Sequence, residues 1–193
     1  GFIATADCVE VRTTMTEDER MGYAIAEAKD RYRLAACAES KLAVISALVE
    51  KHAGQPTLII GAYVDQLAEI SNHIGVPLID GKTSTKKRED LFQQFRDGIL
   101  KTLVVSKVAN FSIDLPGAAV AIQVSGTFGS RQEEAQRLGR LLRPKKDANK
   151  AQFYSIVSRD TLDADFAAHR QRFLAEQGYA YRIIDAADLS TLS

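Results

Sequence analysis

Short apolar runs set between segments of helical period constrain this chain more than any other feature. From Pro56 onward the period switches repeatedly. Thr57-Leu58-Ile59-Ile60, Pro77-Leu78-Ile79, Leu103-Val104-Val105, Ala119 to Val124, Phe153 to Val157 and Tyr181 to Ile184 are runs of this kind. A run too short for a helix and apolar throughout reads as a strand buried on both faces. Between these runs lie helical patterns. One covers Val64 to His73 and is closed by Gly75. Another covers residues 85–96, with Leu91, Phe92 and Phe95 on its apolar side. A capping box at Ser130 and Glu133 opens a helix that reaches Leu142, and a last helix runs from Thr161 to Gln177, ended by Gly178. Strands alternating with helices of this length predict an α/β fold, with a mostly parallel sheet sandwiched between helices.

The first quarter of the chain reads differently. Thr16 and Glu19 form a capping box, and Met21, Ile25, Ala28 and Tyr32 recur at helical spacing, so one helix is expected over 16–36. A second is expected from Ser40 to His52, with Leu42, Ile45 and Val49 on one side and Gly54 at its end. Residues 1–50 are therefore expected to form a helical N-terminal lead-in, and 51–193 the α/β domain. A length of 193 residues suits one domain with a substantial core and short extensions.

Composition excludes several classes. No apolar run approaches the ~20 residues of a membrane-spanning helix, so no membrane partner is expected. The residues from Gly1 to Thr16 lack the basic start and apolar core of a signal peptide. Two cysteines, Cys8 and Cys37, read as thiols of a reducing compartment. His52, His73 and His169 share no ligand spacing with them, so no metal site is expected. The formal net charge is zero, yet residues 82–101 carry six Lys/Arg against three Asp/Glu, and residues 131–150 carry seven against three. Two basic windows in a neutral chain permit a surface that tracks phosphates.

The second window holds the most informative stretch, Gln132 to Arg143. On a helix Gln136, Arg140 and Arg143 fall at i, i+4 and i+7 and share one face, while Ala135, Leu138 and Leu142 share another. Gly139 lies inside that helix, where glycine costs about 1 kcal/mol relative to alanine and implies a packing reason or a close approach. Two readings of the polar face remain open on spacing alone. One is a solvated, salt-bridged surface. The other is a phosphate clamp, for which the permanent charge and planar fork of arginine are suited.

Gln-Arg-Leu-Gly-Arg-Leu-Leu-Arg at 136–143 resembles motif VI of superfamily 2 helicases. Val105-Ser106-Lys107-Val108 and Ser112-Ile113-Asp114-Leu115-Pro116 resemble motif V. Gly129-Ser130-Arg131-Gln132 leads into motif VI as in the XPB family of DNA repair helicases. Phe153 to Ser158, Arg170-Gln171-Arg172-Phe173-Leu174 and Gln177-Gly178-Tyr179 are similar to that family too. The resemblance covers roughly residues 40–185. It implies a RecA-like second motor domain of a DNA-dependent ATPase acting in DNA repair (nucleotide excision repair). It further implies that Arg140 and Arg143 act as arginine fingers and that Gln136 helps position the phosphate end of ATP. Asp114 and Gly139 would be linked to the nucleotide. Gly61, Ala62 and Tyr63 (motif IV), Gly81, Thr83 and Arg88, and Ser106 and Lys107 would lie against the DNA backbone. The chain departs from the family at Ala109-Asn110, where members often carry Gly followed by an acidic residue.

Gly81-Lys82-Thr83 has the look of a P-loop ending, but the P-loop spacing demands Gly at position 76 and the residue there is Val76. There is no Asp-Glu-x-His box. ATP and Mg2+ are therefore expected to be held mainly by a first motor domain of the same protein, and this chain alone should not hydrolyse ATP. The implied partners are DNA, as a single strand or forked duplex held through its backbone, that first motor domain, and a repair nuclease. The alanine-rich, lysine-poor composition points to a bacterial cytoplasm with nucleoid association; a eukaryotic member would be nuclear. Two rivals make different demands. A Rossmann-type small-molecule enzyme needs a Gly-x-Gly-x-x-Gly after a strand, and none occurs. A non-catalytic partner-docking module derived from a motor domain has no need of Arg140 and Arg143.

Overall fold

A computed structural model describes residues 6–106, 117–126 and 151–192. Its centre is a seven-stranded sheet. In chain order the strands are β1 (Ala6–Thr13), β2 (Thr57–Gly61), β3 (Leu78–Ile79), β4 (Thr102–Ser106), β5 (Val120–Gln123), β6 (Ala151–Ser158) and β7 (Ala180–Asp185). Their order across the sheet is β3-β4-β2-β5-β6-β1-β7, and every adjacent pair is parallel. The expected α/β fold with a parallel sheet is met.

The helices are α1 (Glu17–Ile25), α2 (Ala28–Ala36), α3 (Lys41–Lys51), α4 (Val64–Ile74), α5 (Thr85–Arg96) and α6 (Leu162–Glu176), and a 3₁₀ turn over Ala186–Thr191 closes the chain. Strand residues alternate between the two faces, which is why each run had to be apolar on both. Leu58, Ile60, Leu103 and Val105 share one core with Leu91, Phe92 and Phe95 of α5 and Leu174 of α6. Ile59, Val104, Val120 and Ile122 share the other with Val44, Ile45 and Leu48 of α3 and Leu67 and Ile70 of α4. The helix expected over 130–142 lies outside the described residues.

Three details of the lead-in differ from expectation. Residues 6–13 form β1, inserted between β6 and β7 with Ala6 opposite Ala151 and Asp7 opposite Ala180. Residues 1–50 are thus not wholly helical. Asp7, Glu10 and Arg12 interrupt any apolar run, and the strand tolerates Glu10, 1% exposed, because Tyr181 Oη donates to it at 2.6 Å and Arg12 Nε at 2.7 Å. The helix expected over 16–36 is two helices. Ala26 (φ −69°, ψ 152°) and Glu27 (φ −65°, ψ 150°) are extended, and the supposed apolar stripe is partly wet, with Met21 62% and Ile25 87% exposed. The capping box at Thr16 and Glu19 is present. In α3 the buried stripe is Lys41, Val44, Ile45 and Leu48, while Leu42 and Val49 are only partly buried. Cys8 and Cys37 are free thiols. Burial pushes them up to about 12 and about 11 respectively. Among the described residues no helix is long and apolar enough to cross a membrane.

Candidate functional site

Because every strand runs the same way, all the strand C-termini open on one edge of the sheet, where open α/β sheets take their ligands. Gly61 ends β2 directly opposite Ser106, which ends β4, and Ile60 faces Gln123 of β5 on its other side. Gly61 is buried, and a side chain there would put its Cβ 2.9 Å from Leu67 Cδ2, Ser125 Oγ and Val124 Cγ2, so only glycine lets α4 and the end of β5 pack this closely on the strand end. The Ala62 N–H donates to Ser125 Oγ at 2.9 Å. Tyr63 sits at the start of α4, with the Arg33 guanidinium 5.0 Å from its ring centroid and Arg33 Nη2 3.0 Å from Asp65 Oδ2.

Two strands away, the turn between β3 and α5 is closed on itself. The Asp80 N–H donates to Thr83 Oγ1 at 3.0 Å, and Asp80 Oδ1 accepts the Lys82 N–H at 2.9 Å and the Thr83 hydroxyl at 3.3 Å. Ser84 then caps α5 by accepting the Lys87 N–H at 3.2 Å. The Thr83 hydroxyl thus shapes the Gly81 turn from within. Arg88 continues the stripe of Leu91, Phe92 and Phe95 toward the N-terminus of α5, and its enclosed Nε has no hydrogen-bond partner among the described residues. An enclosed guanidinium N–H lacking an acceptor suits a phosphate oxygen.

The structure therefore gathers Gly61, Ala62, Tyr63, Gly81, Thr83, Arg88 and Ser106 along one edge. Lys107, Asp114, Gln136, Gly139, Arg140 and Arg143 lie outside the described residues. Among the described residues no three His, Cys, Asp or Glu side chains converge as a cation cage.

Sequence reasoning missed what stands behind this edge. Lys41, 1% exposed, donates from Nζ to Val124 O and to Asp163 Oδ2, both at 2.8 Å, and Asp163 Oδ2 also accepts the Ser158 N–H at 2.9 Å. Thr161 caps α6 by accepting the Asp163 N–H at 3.1 Å. The signal was there in the lysine: Lys41 heads the stripe of Val44, Ile45 and Leu48, and a lysine on a buried stripe requires an acidic partner. Nothing local marked Asp163 as that partner, 122 residues on. Tyr32 lies nearby, its ring 4.9 Å from Phe166 and 6.3 Å from Tyr63. Its hydroxyl donates to Gly126 O and accepts the Gly126 N–H at 3.2 Å. Burial, above all, holds that hydroxyl protonated well beyond neutral pH.

Comparison with known proteins fits this geometry. The chain is 64% identical over 189 residues to the DNA 3'-5' helicase XPB of Mycobacterium tuberculosis, covering 98% of this chain and 34% of that protein. It is 37% identical over 190 residues to the general transcription and DNA repair factor IIH helicase/translocase subunit XPB/SSL2 of Saccharomyces cerevisiae, covering 95% of this chain and 22% of that one. It thus spans about a third or less of the curated relatives it matches. Among solved structures, S. cerevisiae Dbp5 bound to RNA and ADP BeF3 superposes with a TM-score of 0.70 at 15% identity, over 99% of this chain and 44% of that one. That likeness shows the RecA-like fold shared with helicase C-terminal domains. The family described as ERCC3/RAD25/XPB C-terminal helicase matches residues 1–191, and this chain belongs to it.

Proposed function

We propose that the chain is the second motor half of an ATP-driven DNA helicase or translocase, one that completes a nucleotide site held mainly by a first motor domain. The observation that carries this reading is the 64% identity, over nearly the whole chain, to a protein named a DNA 3'-5' helicase. ATP with Mg2+ on the first domain supplies the phosphoryl transfer, the metal neutralising phosphate oxygens. The residues of this chain orient and stabilise. Arg140 and Arg143 meet charge that develops on the transferred group, Gln136 positions it, and Asp114 and Gly139 link that end of the site to the DNA groove. The edge at Gly61, Ala62, Tyr63, Ser106 and Lys107, with Arg88 and the Gly81–Thr83 turn, holds a DNA strand by its backbone without reading its sequence. A repair nuclease is a fitting partner, and the bacterial cytoplasm, on the nucleoid, a fitting location.

In the intact protein Arg140→Ala or Arg143→Ala is expected to lower kcat for DNA-stimulated ATP hydrolysis at least ~10²-fold, with ATP affinity and melting temperature little changed. Arg→Lys should restore little, since lysine cannot form the bidentate fork. The isolated chain is expected to turn over no ATP. Stable alanine variants with full ATPase activity would sink the arginine-finger reading, and turnover by the isolated chain would sink the two-half reading.

A further inference from the structure

The C-terminal end of α2 is pinned beside the C-terminal end of β2. Gln66 of α4, itself buried, donates from Nε2 to Ala36 O at 2.8 Å, and Ser158 Oγ donates to Ala35 O at 2.6 Å. These two bonds fix the last turn of α2, which carries Arg33. From there Arg33 reaches the start of α4. Its guanidinium lies 5.0 Å from the centroid of the Tyr63 ring, and Nη2 donates to Asp65 Oδ2 at 3.0 Å. Tyr63 follows closely on Gly61, and the Ala62 N–H between them is held by Ser125 Oγ. Arg33 thus stands on the edge proposed above to hold DNA, although it belongs to a helix of the lead-in and to none of the motifs.

Stability does not account for this arrangement. The side chains of Arg33 and Asp65 are 56% and 89% exposed, and an ion pair so wet contributes little to folding. What the arrangement does is orient. The ring holds the guanidinium plane on one side, the carboxylate holds one of its five N–H groups, and the side chain loses its rotamer freedom before any ligand arrives. A phosphate oxygen is the same kind of acceptor as the carboxylate. We propose that Arg33 is a DNA-backbone contact outside the helicase motifs, its guanidinium laid on Tyr63 and occupied by the Asp65 carboxylate until a phosphate takes that place. The inference rests on the reading of this edge as the DNA-holding one.

The test is DNA binding by the intact protein without nucleotide, followed by fluorescence anisotropy of a labelled single strand and a labelled forked duplex between about 50 and 200 mM salt. Arg33→Ala is expected to weaken binding about fivefold, alike for different sequences, and to lower the slope of log affinity against log salt by about one. Arg33→Lys keeps the charge but not the fork, so it should keep the slope and lose about twofold in affinity. Asp65→Asn removes the competing carboxylate and should bind at least as tightly as the wild type. All three should melt within about 2 °C of the wild type. Wild-type affinity and slope in Arg33→Ala, beside weak binding by Arg88→Ala, would overturn the contact and leave the edge reading standing. Full affinity in Arg33→Lys would overturn the held guanidinium, and weaker binding by Asp65→Asn would show that the pair acts through the fold and overturn the inference as well. Affinity that ignores salt in the wild type, with Arg88→Ala silent, removes the edge reading and this inference with it.

Discussion

Strands β3, β4, β2 and β5 bury side chains that are apolar but for Thr57 and Ser106 at strand ends, whereas β6 and β1 also bury Ser155, Ser158, Glu10 and Thr13, and β7 adds the half-buried Tyr181. In the second half Glu10 is held by Tyr181 and Arg12, Ser155 Oγ accepts from Arg170 at 3.2 Å, Ser158 Oγ donates to Ala35 O at 2.6 Å, and Tyr154 Oη lies 2.6 Å from His52 Nε2. The difference lies in what each half can specify. Apolar packing asks for volume and shape, and many side chains satisfy it. A buried polar atom asks for one partner in one place. The polar half is therefore the one that fixes where α2, α3 and α6 sit, and through them the end of β5.

The comparison can be broken first at its apolar side. Ile59 is fully buried, opposite Val104 on one side and Ile122 on the other. Ile59→Ala is expected to destabilise by about 2–5 kcal/mol, from lost transfer energy plus the cavity left behind. Denaturant unfolding of the isolated chain measures it. A loss well under 1 kcal/mol would mean that this half is loosely packed, and the contrast would fail.

A single oxygen probes the polar side. Ser158 is fully buried, and its hydroxyl satisfies the carbonyl of Ala35 at the end of α2. Ser158→Ala removes no carbon, yet should destabilise by about 0.5–1.5 kcal/mol, because the Ala35 carbonyl loses its shortest donor and is left with long backbone contacts such as the Ala38 N–H at 3.4 Å. Ser106 makes the matching substitution in the apolar half. If Ser158→Ala were neutral, the hydroxyls of β6 would be packing filler and the two halves would be alike.

The two halves also differ in how readily the sequence reveals them. Thr57-Leu58-Ile59-Ile60 and Leu103-Val104-Val105 announce buried strands because nothing polar interrupts them. Ala6–Thr13 does not, since its charges at Asp7, Glu10 and Arg12 make sense only once Tyr181, far along the chain, is known to meet Glu10. The break at Ala26 was hidden for a similar reason. Met21 and Ile25 carry the right period, but tertiary packing turns α2 toward α6 and leaves them in water. At the edge, the glycine, serine and arginine positions were legible as types, through motif resemblance. Lys41, Asp163 and Tyr32 belong to no motif, and their partners lie 83, 122 and 94 residues away. Long-range polar pairing is the part of a fold that local pattern carries least.

The smallest expected effect tests whether the polar half alone responds to pH near neutrality. His52 caps α3 and bridges to β6. Its Nδ1 donates to Gln55 Oε1 at 2.7 Å, which leaves Nε2 to accept the Tyr154 hydroxyl at 2.6 Å. Burial lowers its pKa below the ordinary value of 6.5, with the charge of Lys51 acting the same way and the Gln55 bond opposing them. The folded state therefore favours the neutral ring. Below pH 6.5 the unfolded chain takes up a proton that the folded chain refuses, so stability rises with pH across the window between the lowered value and 6.5, and is flat above it. Melting temperatures taken from pH 5 to 8 should fall on the acid side of 6.5. His52→Gln, which can still meet Tyr154 but does not titrate, should flatten that fall. Asp185 does not confuse the reading. Its carboxylate is held below its ordinary range by the Ala187 N–H and by Arg159, so its contribution is lost only at pH well below the histidine window. If His52→Gln left the slope unchanged, the Tyr154 bridge would not be what ties α3 to the polar half.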